Sequence, residues 1–304
     1  MKGYILAIEV GGTYIRTGVS IQKSGQNILY GKKRFLNIGN AIMEIERNIV
    51  EPINRLLYEN KEEKLLGIGV SLAAILDRKN GRIKTWPNHS LCNGFPISEY
   101  LVNKFHVPIF IEDDANCGLL GEYTVLETKK ITHLAYICIG TGVGCGLMLN
   151  KTLYTGENGF AGELGHTCIF SYNTTCTFGN SGCLQSIVSG PAILKKYNYI
   201  TKKNHLDLET LSVKTDSTLR QCYEETITCL SKSIYNISML LDISNFIIGG
   251  GVVKMHEDFI KDIQMNANLY IHPFERKLYI TGAKLGELAG ITGAIYLVKN
   301  MLKI

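Results

Sequence analysis

The chain has 304 residues, 45% of them hydrophobic and 19% charged, enough for two α/β lobes of ordinary size. Its 32 basic and 27 acidic residues leave a net charge of +5 scattered along the chain, so no nucleic-acid partner is implied. Glu9 interrupts the first apolar run, which speaks against a signal peptide; no membrane partner is expected either, and the nine cysteines point to reduced thiols in a cytoplasm.

Three strand patterns open the chain: Tyr4 to Val10, Tyr14 to Ile21 and Asn27 to Leu36. A helix is predicted from about Ala41 to Glu59, with Ile42, Ile45, Ile49, Ile53, Leu56 and Leu57 on one face. Buried strands follow at Leu66 to Leu72 and Val107 to Glu112, and the basic stretch from Arg78 to Lys84 between them reads as a solvated, glycine-containing turn. The strand order then restarts with Leu134 to Ile139, Val143 to Leu149 and a short third strand. The long uncharged run 131–150 contains four glycines, two threonines and His133, so it is this second hairpin and not a membrane span. A helix from about Thr218 to Leu241 leads into Asn245 to Ile248 and Gly249-Gly250-Gly251, and the tail from Gly290 to Met301 is helical, with Ile291, Ala294, Ile295 and Val298 as its stripe.

The repeat carries the functional reading. Glu9-Val10-Gly11-Gly12-Thr13 and Ile139-Gly140-Thr141-Gly142-Val143-Gly144 each lie between two apolar runs, as a strand, a tight turn and a strand. Glycines there allow close approach of the backbone to a ligand, and successive N–H groups form an anion-holding nest. A dinucleotide fingerprint would open a helix at its last glycine, and a P-loop would need Gly-Lys-Ser/Thr; neither fits. Two such nests would clamp the phosphates of one nucleotide. The expected fold class is therefore α/β, a duplicated two-lobed fold with a cleft between lobes, the first lobe spanning 1–117 and completed by the C-terminal helix at about 290–304, the second spanning 118–289.

The order Glu9-x-Gly-Gly-Thr13, Glu112-Asp-Asp-Ala-Asn116, Gly140-Thr-Gly-x-Gly144, Gly162-Glu-Leu-Gly-His166, Gly182-Cys183-Leu184 and Gly249-Gly-Gly251 resembles the ROK family of sugar kinases and repressors, within the actin/hexokinase-like (ribonuclease H-like) superfamily. The repressor branch carries an N-terminal helix-turn-helix domain, whereas this chain begins on its first strand, so the resemblance favours the kinases. It implies ATP and Mg²⁺ as cofactors, a small-molecule sugar as substrate and a homodimer. Asp114 matches the family's catalytic base, and Asn88, Asp113, Glu163, His166 and Gln185 match sugar contacts. Glu9, Gly11, Gly12, Thr13, Gly140, Thr141, Gly142, Gly144, Gly249, Gly250 and Gly251 match the nucleotide-binding turns.

Six positions depart from the family pattern. Glu9 replaces an Asp, Asp113 an Asn and Gln185 a Glu, and Ala73 and Ala74 stand where relatives often have Pro-Gly. The family's zinc is held by a His and three Cys; here His166, Cys176 and Cys183 remain, but Phe178 stands where the second Cys belongs, with Cys168 as a possible substitute, so less than one zinc per chain is expected. Two functions fit: an ATP-dependent hexose kinase, leaning to allose through the runs Gly249 to Met255 and Tyr270 to Pro273, with glucose, fructose, N-acetylmannosamine and β-glucosides open; or a catalytically impaired protein that responds to sugar or nucleotide.

Overall fold

Alternating apolar residues in the first strand face opposite sides of a sheet, and both sides are buried. In the computed structural model, which describes residues 3–12, 14–21, 27–35, 39–87, 89–126, 130–169, 179–208 and 210–304, the chain divides into two units. The first comprises Met1–Glu127, Thr155–Ala161 and Glu287–Ile304, and the second Thr128–Tyr154 and Gly162–Gly286.

The first unit opens with β1 (Tyr4–Val10), β2 (Tyr14–Ile21) and β3 (Asn27–Arg34), antiparallel in sequence. A helical stretch follows as α1 (Ala41–Ile45), a π turn (Glu46–Val50) and α2 (Glu51–Glu59). Pro52 has no N–H and its ring crowds the carbonyl four residues back; the wider turn before it, closed by the Glu51 amide on the Glu46 carbonyl, absorbs that conflict. The extra residue shifts the helical phase by about 100°. Ile45, Ile49, Ile53 and Leu56 are consequently buried, but Ile42, expected beside them, is 54% exposed.

The chain continues through β4 (Leu65–Leu72), the hairpin β5 (Ile75–Asp77) and β6 (Arg82–Thr85), α3 (Ile97–Phe105), β7 (Ile109–Asp113) and α4 (Asp114–Thr124). The sheet runs β3-β2-β1-β4-β7, with β1, β4 and β7 parallel. The expected solvated turn at 78–84 is instead this hairpin: Asn80-Gly81 lies in a turn in which Asp77 accepts from the Asn80 amide.

The second unit repeats the design. Its strands are β8 (Leu134–Ile139), β9 (Val143–Leu149) and β10 (Thr152–Leu153); after α5 (Gln185–Val188), α6 (Gly190–Thr201) and α7 (Ser217–Leu241) come β11 (Asn245–Gly249), α8 (Phe259–Ile271) and β12 (Tyr279–Gly282). Its sheet order, β10-β9-β8-β11-β12, matches the first strand for strand, with the same antiparallel hairpin and parallel continuation. Among the described residues no helix is long and apolar enough to cross a membrane.

Helix α9 (Ala289–Leu302) returns to the first unit. Ile5 and Ala7 of β1 meet Ile291, Ala294, Ile295 and Val298 on one side of the sheet, while Leu6, Ile8 and Val10 meet Ile45, Ile49 and Ile53 on the other. Helices α4 and α9 cross at backbone contact: a Cβ on Gly293 would overlap the Cys117 carbonyl. That crossing seats the start of α4, where the acidic residues lie.

Candidate active site

The β7–α4 junction holds three consecutive acids in three different environments. Glu112 is buried and accepts both guanidinium nitrogens of Arg78, Nη1 at 2.6 Å and Nη2 at 2.5 Å. Asp113 is the N-cap of α4: its Oδ1 accepts from the amides of Ala115 at 3.0 Å and Asn116 at 3.3 Å. Asp and Asn cap equally well, which accounts for Asp at a position where the family pattern has Asn. Asp114 begins the helix, and burial pushes its carboxyl above the usual range, opposed by the backbone amides of Ala115 and Asp114.

Glu9, on the penultimate rung of the first hairpin, is within electrostatic reach of Asp114. Its register partner is Arg16, whose Nη1 lies 3.3 Å from Glu9 Oε2. Gly290 leaves room for this carboxylate against the first turn of α9, where a Cβ would come within 2.7 Å of Glu9 Cδ. Burial raises the Glu9 carboxyl to about 7, Arg16 opposing and Asp114 adding to the rise. Gly11 and Gly12 follow, with the Gly11 amide on the Tyr14 carbonyl at 3.0 Å; Thr13 lies outside the described residues.

In the second unit the turn is uncharged. The Gly140 amide bonds the Gly142 carbonyl at 2.9 Å, and the Gly140 carbonyl accepts from Gly190 at 2.9 Å. The amides of Thr141 and Gly142 have no acceptor among the described residues, and a Cβ on Gly140 would meet open space. Gly144 continues into β9 opposite Cys138. Gly249 ends β11; Gly250, at φ 95°, sits so close to the Ile139 carbonyl that any Cβ would overlap it, and Gly251 beyond it faces open space. Gln185, expected as a sugar contact, places Oε1 3.0 Å from the Val143 amide and so braces this turn from α5.

Glu163 and His166 are brought together, Oε2 to Nε2 at 3.9 Å, and burial holds the imidazole below its usual range. Cys168 and Cys183 face each other across an antiparallel bridge. Cys176, Phe178 and Asn88 lie outside the described residues. Among those described, no three His, Cys, Asp or Glu side chains converge to hold a metal; the Cys183 thiol donates to the His166 carbonyl and the Cys168 thiol to that of Ser181. A structural zinc takes its cysteines as thiolates, and Cys176, one of the ligands the family pattern supplies, lies outside the described residues.

Arg16 and Arg78 are the site residues that sequence reasoning passed over. Arg16 could have been found by counting back across the first turn, since Glu9 and Arg16 share a rung. The signal for Arg78 was Asn80-Gly81 between Leu76 and Ile83, a hairpin that aims its flanking side chains at a neighbour.

The ROK family model matches residues 5–301. A xylose repressor of Caldicellulosiruptor bescii is 27% identical over 315 aligned residues, covering 97% of this chain and 78% of the repressor. A glucokinase of Thermotoga maritima is 25% identical over 315 residues, covering 98% of each. Among solved structures, a ROK hexokinase from Thermus thermophilus has a TM-score of 0.84 at 24% identity, covering 99% of each chain, which is a likeness of fold.

Proposed function

The chain belongs to the ROK family, and on that premise we propose that it is an ATP-dependent hexose kinase in which Asp114 takes the proton from the attacking sugar hydroxyl. The observation that supports this most is a carboxylate lifted by burial at a strand end, followed by a capped helix and flanked by a second carboxylate, Glu9. A raised carboxyl accepts a proton more readily when ionised, and phosphoryl transfer asks for little else beyond positioning and charge neutralisation. Glu9 and Asp114 offer the hard oxygens that suit Mg²⁺, which supplies neutralisation of the phosphates when bound with ATP. The open amides of Thr141 and Gly142 suit a phosphate oxygen, and Glu163 with His166 suits sugar hydroxyls, along with Asn88.

The expected acceptor is an aldohexose, allose first. An ADP-release assay across aldohexoses, ketohexoses, N-acetylhexosamines and xylose tests the proposal, with sugar-dependent ADP formation expected and its abolition in Asp114→Asn. The likeness to a xylose repressor favours one other reading, a protein that binds sugar without turning it over. Sugar binding by calorimetry with no ADP release from any sugar would decide for that reading.

A further inference from the structure

Two short segments of the second unit are joined by a single antiparallel bridge. On one side a helical turn (Leu164–His166) runs into Thr167 and Cys168; on the other, Gly182 and Cys183 run into α5. The Leu184 amide donates to the Thr167 carbonyl at 3.0 Å, and the Ile169 amide to the Gly182 carbonyl at 3.0 Å. These bonds flank the pair Cys168–Cys183 and leave it as a non-hydrogen-bonded rung, on which opposed residues come closest, with Cα atoms about 4.5 Å apart. Side chains on such a rung share one face, and a disulfide asks for Cα atoms roughly 4.4 to 6.8 Å apart. Rotation about side-chain bonds therefore suffices to join the two sulfurs, with the backbone left in place.

The two thiols differ in access. Cys168 is exposed, the one exposed cysteine among the described residues, whereas Cys183 is fully buried. The Ser186 amide and hydroxyl both donate to the Cys183 carbonyl, at 3.0 and 2.7 Å, which fixes the buried partner at the start of α5. An exposed thiol opposite a buried one has the layout of an attacking and a resolving cysteine. In the reduced chain the Cys183 thiol donates to the His166 carbonyl at 3.5 Å, a hydrogen bond that an S–S bond removes.

We propose that Cys168 and Cys183 form a reversible disulfide on meeting a low-molecular-weight disulfide, and that the bond loosens the hold on His166. The Cys168 sulfur attacks one sulfur of the small disulfide, whose S–S bond breaks and whose other half leaves as a thiol carrying the proton given up by Cys168. The Cys183 sulfur then attacks Cys168 in this mixed disulfide. The second half leaves as a thiol with the Cys183 proton, so the two cysteines lose two electrons and the small disulfide gains them. Excess small thiol runs the same steps backward. Formation of the bond depends on no functional assignment; its effect on sugar binding rests on the reading of His166 as a sugar contact.

The test treats the purified protein with glutathione disulfide and reads it by intact mass and peptide mapping. Loss of two hydrogens with no adduct retained is expected, with a crosslink joining residues 168 and 183 that dithiothreitol reverses. Cys168→Ser should abolish the crosslink, and Cys183→Ser should trap the glutathione adduct on Cys168, because no partner resolves it. If Cys183→Ser fails to fold, Cys168→Ser and the mapped crosslink carry the test. Intact thiols, a lasting adduct on Cys168 of the unsubstituted protein, or a crosslink through Cys176 would overturn the pair. Cys183 also matches the family's zinc set, so zinc is measured on the same sample, and zinc that protects both thiols from the oxidant would count equally against the pair. Sugar affinity by calorimetry should fall several-fold on oxidation and recover with dithiothreitol. A crosslink with unchanged sugar affinity would overturn the link to His166 while supporting the pair. Absence of sugar binding in both states would overturn the sugar-site reading and leave the pair standing.

Discussion

In the first unit the penultimate rung of the hairpin β1–β2 pairs Glu9 with Arg16, whereas the same rung of β8–β9 pairs Cys138 with Gly144. The backbone plan is shared and the sheet orders correspond, yet one turn is flanked by titratable charge and the other by none. The same contrast extends outward: the first unit gathers Glu112, Asp113, Asp114, Arg16 and Arg78, while the second offers amides, glycines and the neutral Gln185 around its turn. A duplicated scaffold leaves each copy free to specialise, one toward proton handling and one toward holding phosphate. If so, changes in the first unit should alter turnover and its pH dependence, and changes at the second turn should alter nucleotide affinity alone.

The largest effect is expected at Asp114. Asp114→Asn keeps shape and hydrogen bonding but removes the proton acceptor, so kcat should fall by on the order of 10² to 10⁴ with sugar affinity nearly unchanged. Steady-state kinetics with calorimetry for sugar binding checks it, and a variant retaining most of its turnover would break the division of labour at its strongest point.

Next comes Glu9, whose carboxyl lies at about 7 in the fold against 4.5 when unfolded. A raised carboxyl makes ionisation unfavourable in the folded state, so its penalty is absent below pH 4.5 and grows as the pH rises through about 7, reaching on the order of 3 kcal/mol. Glu9→Gln removes that dependence. In urea unfolding the variant should match the wild type near pH 5 relative to its value at pH 8, where it should be the more stable of the two. A gap that fails to widen with pH would show that Arg16 already compensates the charge.

How much of this was legible beforehand depended on whether the signal was local. Both hairpins were readable because apolar alternation and glycines sit within a few residues of each other, and the helical stripe Ile291, Ala294, Ile295 and Val298 is buried as its spacing implied. Ile42 was misplaced because a π turn forced by Pro52 changes the phase, which a fixed period of 3.6 cannot register. Arg78 was assigned to solvent because its partner is 34 positions away. Gln185 shows the same limit: its family position suggested a sugar contact, and only the fold brings its amide to Val143, 42 residues distant. The roles of Thr13, Asn88, Cys176 and Phe178 fall outside the described residues.

At the second turn, Gly142→Val should weaken ATP binding roughly tenfold or more without moving any pH midpoint, because it adds bulk beside amides and removes no titratable group. The added Cβ would stand 2.9 Å from Gln185 Oε1. Isothermal titration with a non-hydrolysable ATP analogue at two pH values measures this. Equal affinity to wild type would refute a phosphate-holding turn, and a loss confined to one pH would erase the contrast with the first unit.

The smallest effect, and the most discriminating, belongs to Gln185 itself. The one described bond of its side chain is to the Val143 amide, a neutral hydrogen bond of the kind worth about 1 kcal/mol, so Gln185→Ala should weaken nucleotide binding several-fold and leave the pH profile alone. Gly142→Ala presses its new methyl on the same Oε1 and should dislodge the same brace. The two substitutions therefore act through one contact, and a double variant should bind nucleotide no more weakly than the worse single one, a departure from additivity expected only for residues that share a partner. Should Gln185→Ala instead raise the KM for sugar while sparing nucleotide, the amide would belong to the sugar pocket as the family pattern implies. The second turn would then be held by its glycines and Gly190 alone.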